Sequence, residues 1–550
     1  MTNKDFADLL FPSIKSDIEF YENKYPLRDI EPGRFVTRFA PSPTGVVHFG
    51  TLYSSLISKK VAEQTNGIFY LRIEDTDQKR SVENGITDII RDLKNYEINF
   101  DEGMINETES QGEYGPYLQS QRREIYETYA KYLVAEGLAY PCFCTEEDLE
   151  NQRKHQEKIK ARLGYYGKYA VCRKIPIEKA AEKIKAGDSY ILRLKSLGDF
   201  DKKIKINDLI KGEIEFPEND LDIVLIKNDG LPTYHFAHAV DDHLMRTTHV
   251  IRGDEWISSL PIHLQLFQAL NFKFPKYAHF SPLMKIDENG TRRKLSKRKD
   301  PEAAVSYYHE KGIPKEAVKL YVMTVANSNF EMWLEQNPTK GISDFVFDFK
   351  KVSPSGSLFD FEKLLNISKN YISHLSKEEV YQELLTYTKE FDIEFFNILL
   401  KYPEYAQNIF NIEREQKKPR KDYVMYSTIK NEVWYMFDEY FSGNLNYIFD
   451  KVNDKKEISE ILKTYLEKYY VFDHDETTWF EKIKELAISL GYADTKEYKL
   501  NPTQYKGSVA DIAAVIRVAL TTTNQTPNLY QIMKLLGEER VKERLEKFIK

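Results

Sequence analysis

The chain is poor in cysteine. Cys142, Cys144 and Cys172 are its three in 550 residues. So sparse and odd a set cannot staple a chain of this length, which excludes a disulfide scaffold. It lacks any apolar run of ~18 residues, so no membrane-spanning helix is expected. The opening stretch MTNKDFADLLFPSIKSDIEF has no apolar signal core and carries acids throughout. It reads as a short helical extension, and the expected location is the cytoplasm. Positive charge is not in excess: Lys and Arg number 79 against 86 Asp and Glu, for a net charge of -7. The surface as a whole does not attract nucleic acid, so any such contact needs a local basic patch. No internal repeat and no low-complexity segment is present.

What remains is a soluble globular composition, 41% hydrophobic and 30% charged, which argues against disorder. The length suits three to four domains at ~100–200 residues each. Glu31-Pro32-Gly33 ends an N-terminal extension over 1–33. A short strand, Phe35–Phe39, follows, then Ala40–Gly45, whose two prolines can continue neither strand nor helix. A helix is expected over Phe49–Gln64, ended by Asn66-Gly67, then a strand over Ile68–Ile73 and a helix carrying Ile86, Ile89, Ile90 and Leu93. Strand, loop, helix, strand, helix predicts a parallel α/β sheet.

Residues 117–215 break that rhythm with a polar, Lys-rich and helical pattern, and read as an insertion. The rhythm resumes at Ile223–Lys227 and continues through His249–Ile251, the helix Ser259–Leu270 and a strand near Phe280–Ile286 that leads into the turn Asn289-Gly290. From about residue 345 the pattern is nearly all helical, as in Lys377–Lys389, Glu457–Tyr469 and Pro527–Lys550. Ser376 and Glu379 form a capping box.

Two constellations carry chemistry. Pro41-Ser42-Pro43-Thr44-Gly45-Val46-Val47-His48-Phe49-Gly50 lies between a strand and a helix start, where backbone N–H groups and the helix dipole favour phosphate. Gly45 and Gly50 permit close backbone approach, and His48 can donate to a phosphate oxygen. Taken singly, His48 reads more readily as a buried structural histidine. Arg292–Lys299, with six cations in eight positions, reads as a mobile phosphate-binding loop or as a solvated basic run. A decoy, His374-Leu375-Ser376-Lys377, is a helix start.

Together the two constellations resemble the paired signatures of the class I aminoacyl-tRNA synthetases. The closer resemblance is to the bacterial glutamyl-tRNA synthetase family, carried by Arg38–Gly45, Leu71–Asp77, Asp229–His235, Asp241–Met245, Ile251–Trp256 and Lys294–Arg298, in the family's order. It covers residues 34–370 strongly and the tail weakly. It implies a Rossmann-type parallel-sheet catalytic domain (34–116 and 218–280), an inserted α+β acceptor-stem domain (117–217), a stem-contact region with the Lys-Leu-Ser-Lys-Arg loop (281–375), and an all-α anticodon-binding region (376–550).

The activity implied is ligation of L-glutamate to tRNA(Glu) through a glutamyl-adenylate made from ATP. His48, Lys294 and Lys297 would be the catalytic cations. Gly45, His48, Gly50, Thr51, Glu255, Lys294, Ser296 and Lys297 would bind ATP, with Mg²⁺ on its phosphates. Arg38, Ser42, Glu74, Tyr234, His238 and Arg252 would hold glutamate, whose two carboxylates and one ammonium call for two cationic anchors and one anionic one. Two positions depart from the family pattern: Thr51 stands where many class I enzymes have His, and His238 where Asn is frequent. The alternatives are an enzyme that also charges tRNA(Gln), a glutamine-charging relative, and an inactive tRNA-binding paralogue. Pro41–Gly45 in place of P-E-P-N-G and the helical tail argue against the second, and intact His48, Lys297, Glu74, Arg38 and Arg252 against the third.

His235, His238, Asp241, Asp242 and His243 do not have zincin spacing, so no metal is expected there. Cys142-x-Cys144 with Cys172 resembles a zinc set of some family members. Lys174 stands where a fourth ligand could be, so zinc is possible but not expected. The basic run Arg414–Arg420, with Lys417, Lys418 and Tyr423, is a candidate RNA contact or a solvated loop. Nothing in the pattern requires more than a monomer.

Overall fold

The computed structural model describes residues 1–549 apart from 45–46, 78, 80–81, 297–298, 339 and 443–444. The chain divides into two compact units, Met1–Tyr307 with Lys319–Asp360, and Tyr308–Val318 with Phe361–Lys550.

The first unit opens with α1 (Asn3–Leu10) and α2 (Ile18–Lys24). Thr2 and Asp5 close a capping box on α1. Next come β1 (Val36–Phe39), α3 (Phe49–Glu63), β2 (Ile68–Leu71), α4 (Gly85–Lys94), β3 (Glu102–Met104) and the short edge strand β4 (Ser110–Gln111). β1, β2 and β3 run parallel in that order. All four residues of β1 are buried, as a parallel strand covered on both faces requires.

The chain continues through α5 (Arg123–Ala135), β5 (Ala139–Cys142), α6 (Glu146–Lys158), α7 (Ile177–Lys185), β6 (Ile191–Leu194), the hairpin β7 (Lys203–Asp208) and β8 (Gly212–Pro217), and β9 (Val224–Ile226). The stretch whose residue pattern read as polar and helical thus holds four strands beside its helices, the α+β make-up that the resemblance implied. The strand expected at 223–227 exists, but it pairs antiparallel with β6 and not within the parallel sheet. Conversely, Asp208 of β7 pairs in parallel register with Tyr277.

The sheet resumes with α8 (Tyr234–Leu244), β10 (His249–Gly253), α9 (Leu260–Ala269) and β11 (Lys276–Phe280), followed by the hairpin β12 (Met284–Ile286) and β13 (Arg292–Lys294). β10 and β11 are parallel. Thr248 N donates to Val36 O at 3.0 Å and Thr248 Oγ1 accepts from Val36 N at 2.8 Å, so β10 lies beside β1. From this seam the strand order runs outward through β2 and β3 on one side and β11 and β7 on the other. The carboxyl ends at such a reversal form the ligand crevice of doubly wound sheets.

The second unit is helical, as expected. Ser376 Oγ accepts from Glu379 N at 3.1 Å and the Glu379 carboxylate from Ser376 N at 2.8 Å, so the decoy motif is a helix cap. The single helix expected over 527–550 is two, Leu529–Leu536 and Glu538–Glu546, parted by Gly537 at φ 82. The basic run at 414–420 is largely structural. Arg414 donates to the Ile372, Leu375 and Phe410 carbonyls. Arg420 pairs with Asp422, and Tyr423 is buried. Lys417 and Lys418 remain exposed.

Asn66-Gly67, which ends α3, shows why both residues are small or tolerant. Asn66 takes φ 51, which asparagine accepts better than most residues. A Cβ on Gly67 would lie 1.9 Å from Phe35 O, and that carbonyl is fixed by its bond from Ile68 N. Gly67→Ala is expected to cost at least ~2 kcal/mol, whereas Asn66→Gly stays within ~0.5 kcal/mol of the parent. Urea unfolding of both variants checks this; equal midpoints would mean the β1–β2 entry yields freely.

Candidate active site

The elements around the β1–β10 seam bring an ionic lattice together. Arg72, immediately after β2, donates from Nη1 to Asp242 Oδ1 at 2.6 Å and from Nη2 to Glu74 Oε1 at 3.0 Å. Arg38 on β1 reaches Asp242 Oδ2 through Nε at 3.4 Å. Asp241, its neighbour on α8, accepts from Arg122 Nε at 2.7 Å, Gln119 Nε2 at 2.8 Å and Tyr126 Oη at 2.8 Å. Burial pushes the Asp242 carboxyl up, but Arg38 and Arg72 outweigh it and hold it below the usual carboxylate range. At Glu74 burial prevails over the same two arginines and raises the carboxyl. Sequence reasoning passed over Arg72 and Arg122. The signal available was the pair Asp241-Asp242 on a helix otherwise carrying Phe236, Ala237, Val240 and Leu244, since buried carboxylates demand cations.

Above this lattice, at the carboxyl ends of β1 and β10, lies a cavity of about 440 Å³. Arg38, Ser42, His48, Gly50, Thr51, Glu74, Tyr234, Arg252, Glu255 and Lys294, drawn from six separate chain segments, all line it. Trp256, Tyr53 and Phe280 line it too and were not anticipated; Trp256 packs on Tyr234 with ring centroids 4.3 Å apart. Gly45 and Lys297 fall outside the described residues. Ser296 is not among the lining residues, and its N–H is bound by Asp300 at 2.9 Å.

His238 stands behind the wall, fully buried. It bonds Tyr277 Oη at 2.8 Å through Nε2, faces Asp242 through Nδ1 at 3.1 Å, and stacks beneath Tyr234. His238, expected to touch glutamate, is not among the residues lining the cavity: its ring lies one layer removed, because α8 turns position 238 toward β11.

Arg252 is the anomaly of the site. It is 7% exposed, and its partners are neutral: Tyr234 Oη at 2.7 Å, His279 Nε2 at 2.9 Å, His263 Nδ1 at 3.3 Å and Trp256 O at 3.4 Å. Among the described residues no carboxylate lies within ion-pair distance of it. A buried guanidinium without a counter-ion is costly and is suited to an anionic ligand.

At the other end of the cavity, His48 caps α3 by accepting from Gly50 N with Nδ1 at 2.9 Å. An accepting ring nitrogen carries no proton, so neutral His48 holds its proton on Nε2 and can donate there. Gly50 backs the ring, since a Cβ would lie 3.3 Å from Nδ1. The basic run is less loop-like than expected. Arg292–Lys294 form β13, Leu295 is buried, and Asp300 accepts from Arg293 at 2.6 and 2.7 Å. The Arg293 pair holds the Asp300 carboxyl well below its usual range.

In the segment read as the insertion, the sulfurs of Cys142, Cys144 and Cys172 all lie within 4.8 Å of one another. Their sequence spacing offers no fourth ligand, and Lys174 is exposed. The fold brings a different group: Tyr165 Oη is 3.4 Å from both Cys142 Sγ and Cys144 Sγ. Three thiols and one phenol oxygen form a four-donor set that a tetrahedral zinc ion fits.

Five histidines of this unit, four of them buried and His235 half-buried, are held neutral. Burial, then Arg252, brings His235 down to about 4; burial, then Lys276, brings His249 to about 4. Burial also lowers His238, His263 and His279. An unfolded histidine titrates near ~6.5, so between pH 6.5 and 4 the unfolded chain binds more protons. Stability is then fully present above that window and falls as pH drops, by up to ~1.4 kcal/mol per unit for each histidine. The urea midpoint is expected to drop from pH 7 to pH 5. An unchanged midpoint would sink the neutral-histidine account.

The family of class I tRNA synthetases (E and Q), catalytic domain, matches residues 34–366, and an anticodon binding domain matches 426–549. The glutamate–tRNA ligase of Clostridium perfringens is 48% identical over 552 residues, covering 100% of both chains. That of Clostridium beijerinckii is 47% identical, again over 100% of both chains. A crystal structure of a glutamate tRNA ligase from Elizabethkingia meningosepticum, in complex with its amino acid, is 26% identical with a TM-score of 0.76, covering 94% of this chain and 99% of that one. With the two-signature cavity at the sheet's switch point, these matches show that the chain belongs to the glutamate–tRNA ligases, within the class I tRNA synthetases.

Proposed function

We propose that the chain joins L-glutamate to ATP, giving glutamyl-adenylate and pyrophosphate, and passes the glutamyl group to the 3' end of tRNA(Glu). The observation that carries the amino-acid half is Arg252, a buried guanidinium at the cavity wall that has no carboxylate partner among the described residues. A substrate carboxylate supplies the missing charge. Arg38 is the second cationic anchor, already half-compensated by Asp242, and Glu74 is the anionic group for the substrate ammonium. Relatives that are glutamate–tRNA ligases favour this reading over a glutamine-charging one.

ATP would lie toward His48, Gly50, Thr51 and Lys294, with Lys297 and Gly45 in the same two motifs and Glu255 on the rim. The His48 Nε2–H and the cations of the basic run would meet negative charge that builds on the α-phosphate and pyrophosphate, which is electrostatic stabilisation, not covalent chemistry. Mg²⁺ would arrive on the phosphates, with few protein ligands, and neutralise their charge. The four-donor set Cys142, Cys144, Cys172 and Tyr165 would hold a structural zinc ion, fixing the segment between β5 and α7. The partners are tRNA, glutamate and ATP. No helix among the described residues is long and apolar enough to cross a membrane.

Two measurements test these assignments. In charging assays with purified tRNA(Glu), the parent is expected to attach glutamate, and Arg252→Gln to lower kcat/KM for glutamate by at least ~10², as for a broken buried ion pair of ~3–5 kcal/mol. Wild-type kinetics in that variant would remove Arg252 from the pocket. Elemental analysis after dialysis is expected to find about one zinc per chain, lost in Cys172→Ser; zinc-free folded parent protein would refute the metal site.

A further inference from the structure

Arg252 does not stand alone in the wall. Its Nε donates to His279 Nε2 at 2.9 Å, and His279 Nδ1 bonds Asp208 Oδ2 at 2.7 Å. Arg252 lies on β10, His279 opposite it on β11, and Asp208 at the end of β7, so three adjacent strands present the three groups in one row. Asp208 and His279 are both buried, and neither lines the cavity.

The hydrogen-bond inventory fixes every proton in this row. A guanidinium only donates, so His279 Nε2 must accept and must be bare. The ring proton is then on Nδ1, which requires an acceptor on that side. Asp208 supplies it, and its own orientation is over-determined. Oδ1 accepts from Ile210 N and Lys211 N at 2.9 Å each, and Oδ2 from His279 N at 3.1 Å as well as from the ring. Burial pushes the Asp208 carboxyl up, but these donors, His279 foremost, hold it below its usual range. Burial keeps His279 itself neutral, with Arg252 adding to the effect and Asp208 opposing it.

We propose that Asp208 and His279 are positioning residues for glutamate: Asp208 sets the Nδ1-protonated tautomer of His279, and that ring aims the Arg252 guanidinium at the substrate carboxylate. The proposal rests on the reading of Arg252 as a carboxylate anchor. It also gives the β7–β8 hairpin, outside the segments that supply the cavity wall, a part in amino-acid binding.

Side-chain shape allows the two bonds of His279 to be separated. His279→Asn places an amide donor near the former Nδ1 and leaves no acceptor for Arg252. His279→Gln can place its carbonyl near the former Nε2 and restore that acceptor. In Asp208→Asn the backbone donors claim the amide oxygen, so the NH₂ faces the ring and favours the wrong tautomer.

The experiment is steady-state charging of tRNA(Glu) by the full-length chain, reading kcat and KM for glutamate and for ATP, with thermal melts to report folding. Asp208→Asn and His279→Asn are expected to raise the glutamate KM ~10–100-fold while the ATP KM is unchanged, and His279→Gln to recover most of the loss. If these variants fold and keep the parent glutamate KM while Arg252→Gln raises it, the positioning proposal is overturned and the pocket reading stands. If Arg252→Gln also leaves it unchanged, the pocket reading itself fails. Equal losses for both substrates in all three variants would mark a structural role only and likewise overturn the proposal. Should the variants not fold, imidazole ¹⁵N shifts of the parent decide: a neutral His279 protonated on Nδ1 supports the proposal, and an Nε2–H ring or an imidazolium refutes it.

Discussion

The structure depends on a pair of adjacent buried carboxylates. Asp241 and Asp242 sit on α8 beneath the point where the sheet reverses its winding, and three arginines from separate segments converge on them. Charges so deep are tolerable only when paired and hydrogen-bonded, and removing one partner leaves the others exposed to the full cost of burial. The lattice therefore ties β1, the exit of β2, the start of α5 and α8 into one geometry. Those are the segments that must agree for a cavity to exist at the strand ends.

The same lattice explains how charge is distributed over the cavity. Arg38 and Arg72 share Asp242, and Arg72 also holds Glu74, so that side of the floor is nearly balanced before any substrate arrives. Arg252, across the seam, meets neutral acceptors among the described residues. One balanced wall and one unbalanced one give a binding site polarity. A ligand with two carboxylates and one ammonium, net charge -1, would complete the charge count, and an amide in place of its side-chain carboxylate would not. The neutral histidines behind the wall serve the same end, since a protonated ring beside Arg252 would oppose it.

The parts of the chain outside the parallel sheet are built by different rules. The segment between β5 and β9 forms its own antiparallel sheet and gathers three thiols and a phenol at its core. Its final hairpin extends the sheet that bears Arg252. The helical unit holds together through an apolar core, with Arg414 and Arg544 donating to backbone carbonyls inside it. Basic residues there are in part packing elements, which is why a run of positive charge in sequence is weak evidence for an RNA surface.

Local physics was enough to determine much of this from the sequence. Apolar periodicity marked β1, α3, β2 and α4. The capping box at Ser376 and Glu379 marked a helix start, and the two prolines before His48 forced a break at the strand's end. The order of the motifs was enough to gather Arg38, His48, Glu74, Tyr234, Arg252 and Lys294 around one cavity. Other features depend on which strand lies beside which, and periodicity carries no such information. Val224–Ile226 is apolar whether its neighbour is parallel or antiparallel, and β7 alternates in the same way at either sheet. Only the assembled fold sets Asp242 between two arginines, turns His238 away from the cavity, and brings Tyr165 to the three thiols. Only there do Asp208 and His279 line up behind Arg252, because pairing and counter-ion contacts are made across tens to hundreds of residues and are settled by packing, not by neighbours in the chain.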